Sequence, residues 1–237
     1  MISIKNLTVK AENGEILKDI NLEIKDRERV VLFGPNGSGK STLFKVIMGL
    51  GDYHVKKGSI KVNGKSLKGK SIDERVKMGL GYIAQKSVGI KGVTIEDLID
   101  QYDFAYEEMK NAAKQLGIDE LLDRDINCTL SGGEIKRAEL FTLSLLPNIY
   151  TYLLDELDSG VDLENMKRIA KYLNTAGRDK SIVVTTHTGA ILKELEFDAA
   201  YVVLKGKIIC RNKPEKIWKC ITEKGYEACI NCDNANL

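Results

Sequence analysis

The sequence predicts an α/β fold with a mixed, mostly parallel β core, an antiparallel β subdomain and a helical subdomain. Three observations predict it. The run Gly34-Pro35-Asn36-Gly37-Ser38-Gly39-Lys40-Ser41-Thr42 joins an apolar segment, Val30 to Phe33, to a helix-forming one. Tyr150 to Leu154 and Ser181 to Thr186 are patterned as strands buried on both faces, with a helix near 163–173 between them. That alternation is the βαβ rhythm of a parallel sheet. Between these two regions, from Thr94 to Leu146, the chain becomes helical in character.

Each element has a local reason. Ile2, Ile4, Leu7 and Val9 alternate as in a strand, Asn13-Gly14 is a hairpin turn, and Ile16, Ile20, Leu22 and Ile24 continue the pattern. Ser41 to Leu50 is a helix stopped by Gly49 and Gly51, Ser59 to Gly64 a short strand and turn, and Gly79 to Ala84 another strand. Thr94-Ile95-Glu96-Asp97 is a helix-capping segment, and residues 104–116 and 132–146 carry apolar positions at 3/4 spacing. Tyr201 to Leu204 and Ile208 to Cys210 form an edge hairpin about Lys205-Gly206-Lys207. Pro214 opens a last helix that Gly225 stops. The expectation is one domain over residues 1–237, with the helical subdomain at about 94–146 and the C-terminal helix at about 214–225.

Bulk properties narrow the function classes. A chain of 237 residues with 43% hydrophobic content can bury a proper core. A net charge of +2 gives no field that would draw nucleic acid, and the basic run from Lys65 to Lys70 reads as a solvated loop. The N-terminus starts a strand, not a signal peptide, and no apolar run approaches the ~18–20 residues of a membrane span. A cytoplasmic protein without direct membrane insertion is expected. Five cysteines, an odd and scattered set, fit reduced thiols. Cys229-Ile230-Asn231-Cys232 is a C-x-x-C in a polar tail that lacks the four ligands structural zinc usually needs, with Cys220 a third thiol if the last helix brings it near.

The residues from Gly34 to Thr42 contain a complete G-x-x-x-x-G-K-S phosphate-binding loop, in the strand–loop–helix context that gives this motif its meaning. Glycine lets backbone N–H groups converge on phosphate oxygens, Lys40 reaches the β/γ-phosphates of ATP, and Ser41 offers its hydroxyl to Mg²⁺. Ser131-Gly132-Gly133-Glu134 opens a helix. It reads as a capping box, but two glycines in a first helical turn cost roughly 1 kcal/mol each. Exposed N–H groups for an anion would justify that cost. Asp155-Glu156 ends an apolar strand 24 residues after Ser131. Asp155 is placed as a Mg²⁺ partner and Glu156 to orient or deprotonate the attacking water. His187 follows a third strand and is placed to contact the γ-phosphate, and Gln85, after the strand ending at Ala84, can reach Mg²⁺ or water.

Together, in this order, the four motifs resemble the nucleotide-binding domain of the ATP-binding-cassette (ABC) ATPases. Within that superfamily the chain resembles the SufC family, the ATPases of SUF iron–sulfur cluster assembly. Three features carry the narrower likeness. Asp155-Glu156-Leu157-Asp158-Ser159-Gly160-Val161-Asp162 resembles that family's form, where transporter subunits usually have Pro then Thr or Ser after the Glu. The segment Gln85 to Val93 and the pairs Lys136-Arg137 and Gly225-Tyr226 match as well. Lys91 departs, standing where the family usually has Pro, as do Cys128-Thr129 before the signature. No aromatic lies near Ala11 to stack on adenine.

The resemblance implies a homodimer that closes on two ATP molecules. Each phosphate loop would face Ser131, Gly132 and Gly133 of the other copy. It implies a soluble SufB-type scaffold as partner, alone or with a SufD-type one, docked around Gln85 to Thr94 and the helical region. The competing readings are the ATP-binding subunit of a membrane transporter and a nucleotide-gated clamp with negligible turnover. Asp158 favours the cluster-assembly ATPase over the transporter subunit, and the intact Glu156 and His187 disfavour the clamp.

Overall fold

The computed structural model of the chain describes residues 1–12, 14–101 and 106–231. The strands in chain order are β1 (Ile2–Ala11), β2 (Gly14–Ile24), β3 (Arg29–Phe33), β4 (His54–Val62), β5 (Lys65–Ser66), β6 (Leu80–Ile83), β7 (Thr151–Asp155), β8 (Ser181–Thr186), β9 (Ala199–Leu204) and β10 (Lys207–Asn212). The helices are α1 (Lys40–Met48), α2 (Ile72–Lys77), α3 (Ile95–Asp100), α4 (Tyr106–Leu116), α5 (Gly132–Leu145), α6 (Leu163–Thr175) and α7 (Pro214–Lys224).

Two sheets result. One is antiparallel, in the order β2-β1-β4-β5. The other runs β10-β9-β3-β8-β7-β6, parallel except for the edge strand β10. Strands β7, β8 and β9 are buried along their whole length, as apolar runs in a sheet covered on both faces must be. The parallel register sets the C-terminal ends of β3, β6, β7 and β8 at one edge: Phe33 pairs with Thr186, Ile83 with Leu154, and Asp155 with Thr185. Ligand sites of such sheets form outside those ends.

Apolar packing covers both sheets. Phe44 and Ile47 of α1 pack with Leu17 and Ile20 under the antiparallel sheet. Phe141 and Leu140 of α5 pack with Leu154, Val184 and Ile169. Val31 and Phe33 pack under α7 with Ile217. Each such buried side chain contributes on the order of 2 kcal/mol.

The helix ends follow their sequence signals. Gly49 ends α1 in a left-handed conformation, with its N–H on the carbonyls of Lys45 and Val46. Thr94 and Asp97 form a reciprocal capping box on α3. Pro214 opens α7 and Gly225 closes it. Helix α2 is an addition to the expected elements. It spans six residues, too short for a periodicity, yet Ser71 and Glu74 cap it reciprocally. Strand β4 begins at His54, earlier than the expected Ser59, because its first residues are exposed and show no alternation. Asn13 of the expected hairpin turn and residues 104–105 of the expected helix start lie outside the described residues.

The C-terminus corrects one expectation. Cys229, expected in a polar tail, is fully buried in the cluster under α7, and Cys232 lies outside the described residues. Among the described residues no helix is long and apolar enough to cross a membrane.

Candidate nucleotide site

The loop from Gly34 to Gly39 leaves β3 and feeds directly into α1. Gly39 has φ 109, a left-handed backbone that a side chain would strain, and a Cβ there would meet Leu17 at 2.8 Å. Lys40 is 3% exposed. Its Nζ donates to the carbonyls of Gly34 (2.6 Å) and Pro35 (3.1 Å), so the ammonium sits across the mouth of its own loop. Burial pushes its pKa down, opposed by the carboxylates of Glu156 and Asp155. The turn between β9 and β10 braces the loop from behind, with Gly206 N–H donating to Ser38 O at 3.0 Å.

Asp155 is the hub of the next layer. Its Oδ1 accepts from Ser41 Oγ (3.0 Å) and Thr185 Oγ1 (2.6 Å), and its Oδ2 from Tyr82 (3.3 Å). Tyr82 is held neutral: burial, with Asp155 adding to it, raises its pKa well above the ordinary phenol range. Glu156 lies one residue past β7 with φ 48, and its N–H donates to Thr185 Oγ1 at 2.8 Å. That turn aims a 5% exposed carboxylate back into the site. Gln85 Nε2 donates to Glu156 Oε2 at 2.6 Å. His187 Nδ1 lies 3.6 Å from Glu156 Oε1 and makes no hydrogen bond among the described residues. The structure thus brings Lys40, Ser41, Gln85, Asp155, Glu156 and His187 together at the strand ends.

Ser131, Gly132 and Gly133 stand at the start of α5, the first two exposed and Gly133 buried. Ser131 caps α5, accepting from Glu134 N–H at 3.4 Å, while Glu134 Oε2 accepts from Ser131 N–H at 2.7 Å. The capping box is therefore real. The glycines also have a packing reason: a Cβ at Gly132 would meet Gly160 O at 2.6 Å, and one at Gly133 would meet Asn165 Nδ2 at 2.4 Å. Helix α5 is pressed against the turn that leads into α6.

The site fits a nucleotide triphosphate with a divalent cation. Ser38 Oγ is buried in the loop with no hydrogen-bond partner among the described residues, an acceptor–donor waiting for an anion. Ser41 Oγ and Asp155 Oδ1 are hard oxygens 3.0 Å apart, and Mg²⁺ is commonly held by one or two protein oxygens plus phosphate. Among the described residues no group of three His, Cys, Asp or Glu side chains could hold a metal by itself, so the cation's remaining ligands would come from phosphate and water.

Comparison with known proteins decides the family. The ABC transporter family model matches residues 17–159, from β2 through the turn after Glu156. The chain belongs to the ABC transporter family. It is 37% identical to Vegetative protein 296 of Bacillus subtilis, an alignment covering 95% of this chain and 92% of that protein. It is 35% identical to a probable ABC transporter ATP-binding protein of Streptococcus pyogenes serotype M3, over 88% of this chain and 87% of the relative. A solved ATP-binding cassette, described as a dimeric post-hydrolysis state bound to ADP and Pi, superposes with a TM-score of 0.74 at 25% identity, over 90% of this chain and 98% of that one.

As an ABC ATPase the chain has two further buried polar clusters beside the site. Asp158 is 6% exposed, and its Oδ2 accepts from Thr186 Oγ1 (2.6 Å) and Thr188 Oγ1 (2.5 Å) on either side of His187. Asp158 was visible as a family mark; its threonine partners were not. Lys136 is buried on α5, and its Nζ donates to Ala84 O, to Gln85 O (3.4 Å) and to Glu139 (3.1 Å).

Proposed function

We propose that this ABC ATPase binds Mg-ATP in the loop from Gly34 to Thr42 and hydrolyses it in an ATP-closed homodimer. The work done drives a SufB-type scaffold, alone or with a SufD-type one, in iron–sulfur cluster assembly in the cytoplasm. Lys40 neutralises the β/γ-phosphates, and Ser41 with Asp155 holds Mg²⁺, which when bound neutralises charge on the phosphate oxygens. Glu156 takes the proton of the attacking water, a role worth ~10²–10⁴-fold in rate. Gln85 orients Glu156 and reaches the cation, and His187 contacts the γ-phosphate. Ser131, Gly132 and Gly133 serve the ATP of the partner copy. In support, Ser131 and Gly132 are exposed at a helix N-terminus, and the matched cassette is a dimer with ADP and Pi.

The observation that carries the assembly role is Asp158. Transporter subunits usually have Pro then Thr or Ser after the Glu, so they lack at this position the carboxylate that accepts from the hydroxyls of Thr186 and Thr188 here. An apolar groove of about 310 Å³, lined by Tyr82, Val88, Ile90, Leu98 and Leu146, is the place for the scaffold. Val88 is 79% and Ile90 48% exposed at its rim. The transporter reading keeps one specific observation, that matched relatives are described as a probable ABC transporter ATP-binding protein and a probable ATP-dependent transporter. The test is purification from the native source without detergent. The expected partner is a soluble, β-rich scaffold that stimulates ATP hydrolysis. Recovery of a polytopic membrane protein instead, with cluster assembly normal in cells lacking this chain, replaces the assembly role with transport.

A further inference from the structure

In the apolar cluster under α7, which includes Phe33 just before the phosphate loop, two thiols meet. Cys220 lies in α7 and Cys229 in the 3-10 turn that follows it, Tyr226–Asn231. Gly225, at φ 79, reverses the chain and folds that turn back along the helix. The two sulfurs are 3.9 Å apart, in van der Waals contact. Cys229 is 0% exposed, whereas Cys220 is half-buried and reachable from solvent.

We propose that Cys220 and Cys229 are a modification site that closes reversibly to a disulfide. Closure brings the sulfurs from contact to a bond of about 2.05 Å, a movement of roughly 2 Å. Side-chain rotation and a small shift of a six-residue turn at the edge of the fold supply it. The third thiol in this cluster, Cys210, is fixed in β10 opposite Val202.

The chemistry is thiol–disulfide exchange with a low-molecular-weight disulfide. Cys220, the accessible member, attacks as thiolate, forms a mixed disulfide and releases one small thiol. Cys229 then attacks Cys220 Sγ and releases the second. Two protein thiols lose two electrons and two protons, and one small disulfide becomes two small thiols. The same exchange with a reduced thiol reverses it.

The bridge fastens elements that back the nucleotide site. Trp218 of α7 stacks on Phe33, the residue before the loop, with ring centroids 5.5 Å apart. Glu227 of the turn pairs with Lys205 at 3.3 Å, beside the Gly206 that holds Ser38. This site stands on the thiol geometry alone and is independent of the function proposed above.

The test equilibrates the folded chain with glutathione and glutathione disulfide at a series of ratios, then alkylates and maps peptides. The expected result is one linkage, between the Cys220 and Cys229 peptides, that grows with the oxidised fraction and is lost on reduction. Cys229→Ala then leaves Cys220 carrying glutathione. Cys220→Ser, at the more tolerant half-buried position, leaves Cys229 unmodified while the chain is folded. No linkage at any ratio, a linkage to Cys128, Cys210 or Cys232 in its place, or glutathione on Cys229 of the folded Cys220→Ser chain would overturn the proposal.

Discussion

Gln85 donates its side-chain amide to Glu156 across the ends of two neighbouring parallel strands, at 2.6 Å. The register explains the meeting. Ile83 of β6 pairs with Leu154 of β7, so residues 85 and 156 each stand two positions further along. The same register leaves Gly34 and His187 as the next residues after the Phe33–Thr186 pair. Sheet pairing alone therefore gathers four separate motifs.

Replacing Glu156 by Gln keeps the shape and the hydrogen bond from Gln85 but removes the proposed base. Single-turnover hydrolysis is expected to fall by ~10²-fold or more, while ATP affinity is kept and the ATP-bound dimer accumulates. A normal rate from this variant would mean another group takes the proton.

Lys40→Ala is expected to abolish most ATP affinity by calorimetry, since the loop loses its charged donor to the phosphates. The fold should survive. Burial lowers the pKa of Lys40, which means the folded state disfavours its charge. That penalty is present below the folded-state pKa and vanishes above the unfolded one. The nucleotide-free variant should accordingly melt no lower than the parent near neutral pH.

Ser131→Arg places a long cation at the exposed N-terminus of α5. Monomeric ATP binding should be unchanged, and dimer formation on a Glu156→Gln background should be lost in light scattering. A dimer that forms equally well would remove Ser131 from the shared site.

Asp158→Ala leaves the hydroxyls of Thr186 and Thr188 without their acceptor beside His187. Unpaired buried groups cost about 1–3 kcal/mol, so denaturant unfolding should shift by that order. Turnover should fall with little change in ATP affinity, because His187 is displaced and Lys40 is not. Asp158→Asn, which keeps one acceptor, should recover part of both.

Acid should uncap α5. Hydrogen bonding by Ser131 N–H holds the Glu134 carboxyl below its usual range, against a smaller opposing effect of burial. A depressed carboxyl pKa stabilises the fold above the unfolded value and loses that stabilisation as pH falls through the folded one. Glu134→Gln should thus lower the melting temperature at neutral pH, and the difference from the parent should vanish once the pH has fallen through the depressed folded-state pKa.

Much of the candidate site was legible because its motifs are local. The loop from Gly34 to Thr42, the Ser131–Glu134 box and the Asp155-Glu156 step are each set by short-range sterics, glycine positions and strand ends. The capping boxes of α3 and α5 follow from residues three apart. Helix α2 carried the same signal, Ser71 with Glu74, but no periodicity drew attention to it.

By itself the sequence determined the parallel β core, the phosphate-binding chemistry and the family, since those depend on residue type at fixed local spacing. Only the tertiary structure decided that Asp158 clamps Thr186 and Thr188, that Lys136 holds the carbonyls of Ala84 and Gln85, and that Cys229 is buried against α7. The physical reason is separation along the chain. The Lys136 and Asp158 contacts span 28 to 52 residues. The Cys229 contact depends on a chain reversal at Gly225. Pairing and packing of the folded sheets and helices create these contacts, and no local pattern of residues encodes them.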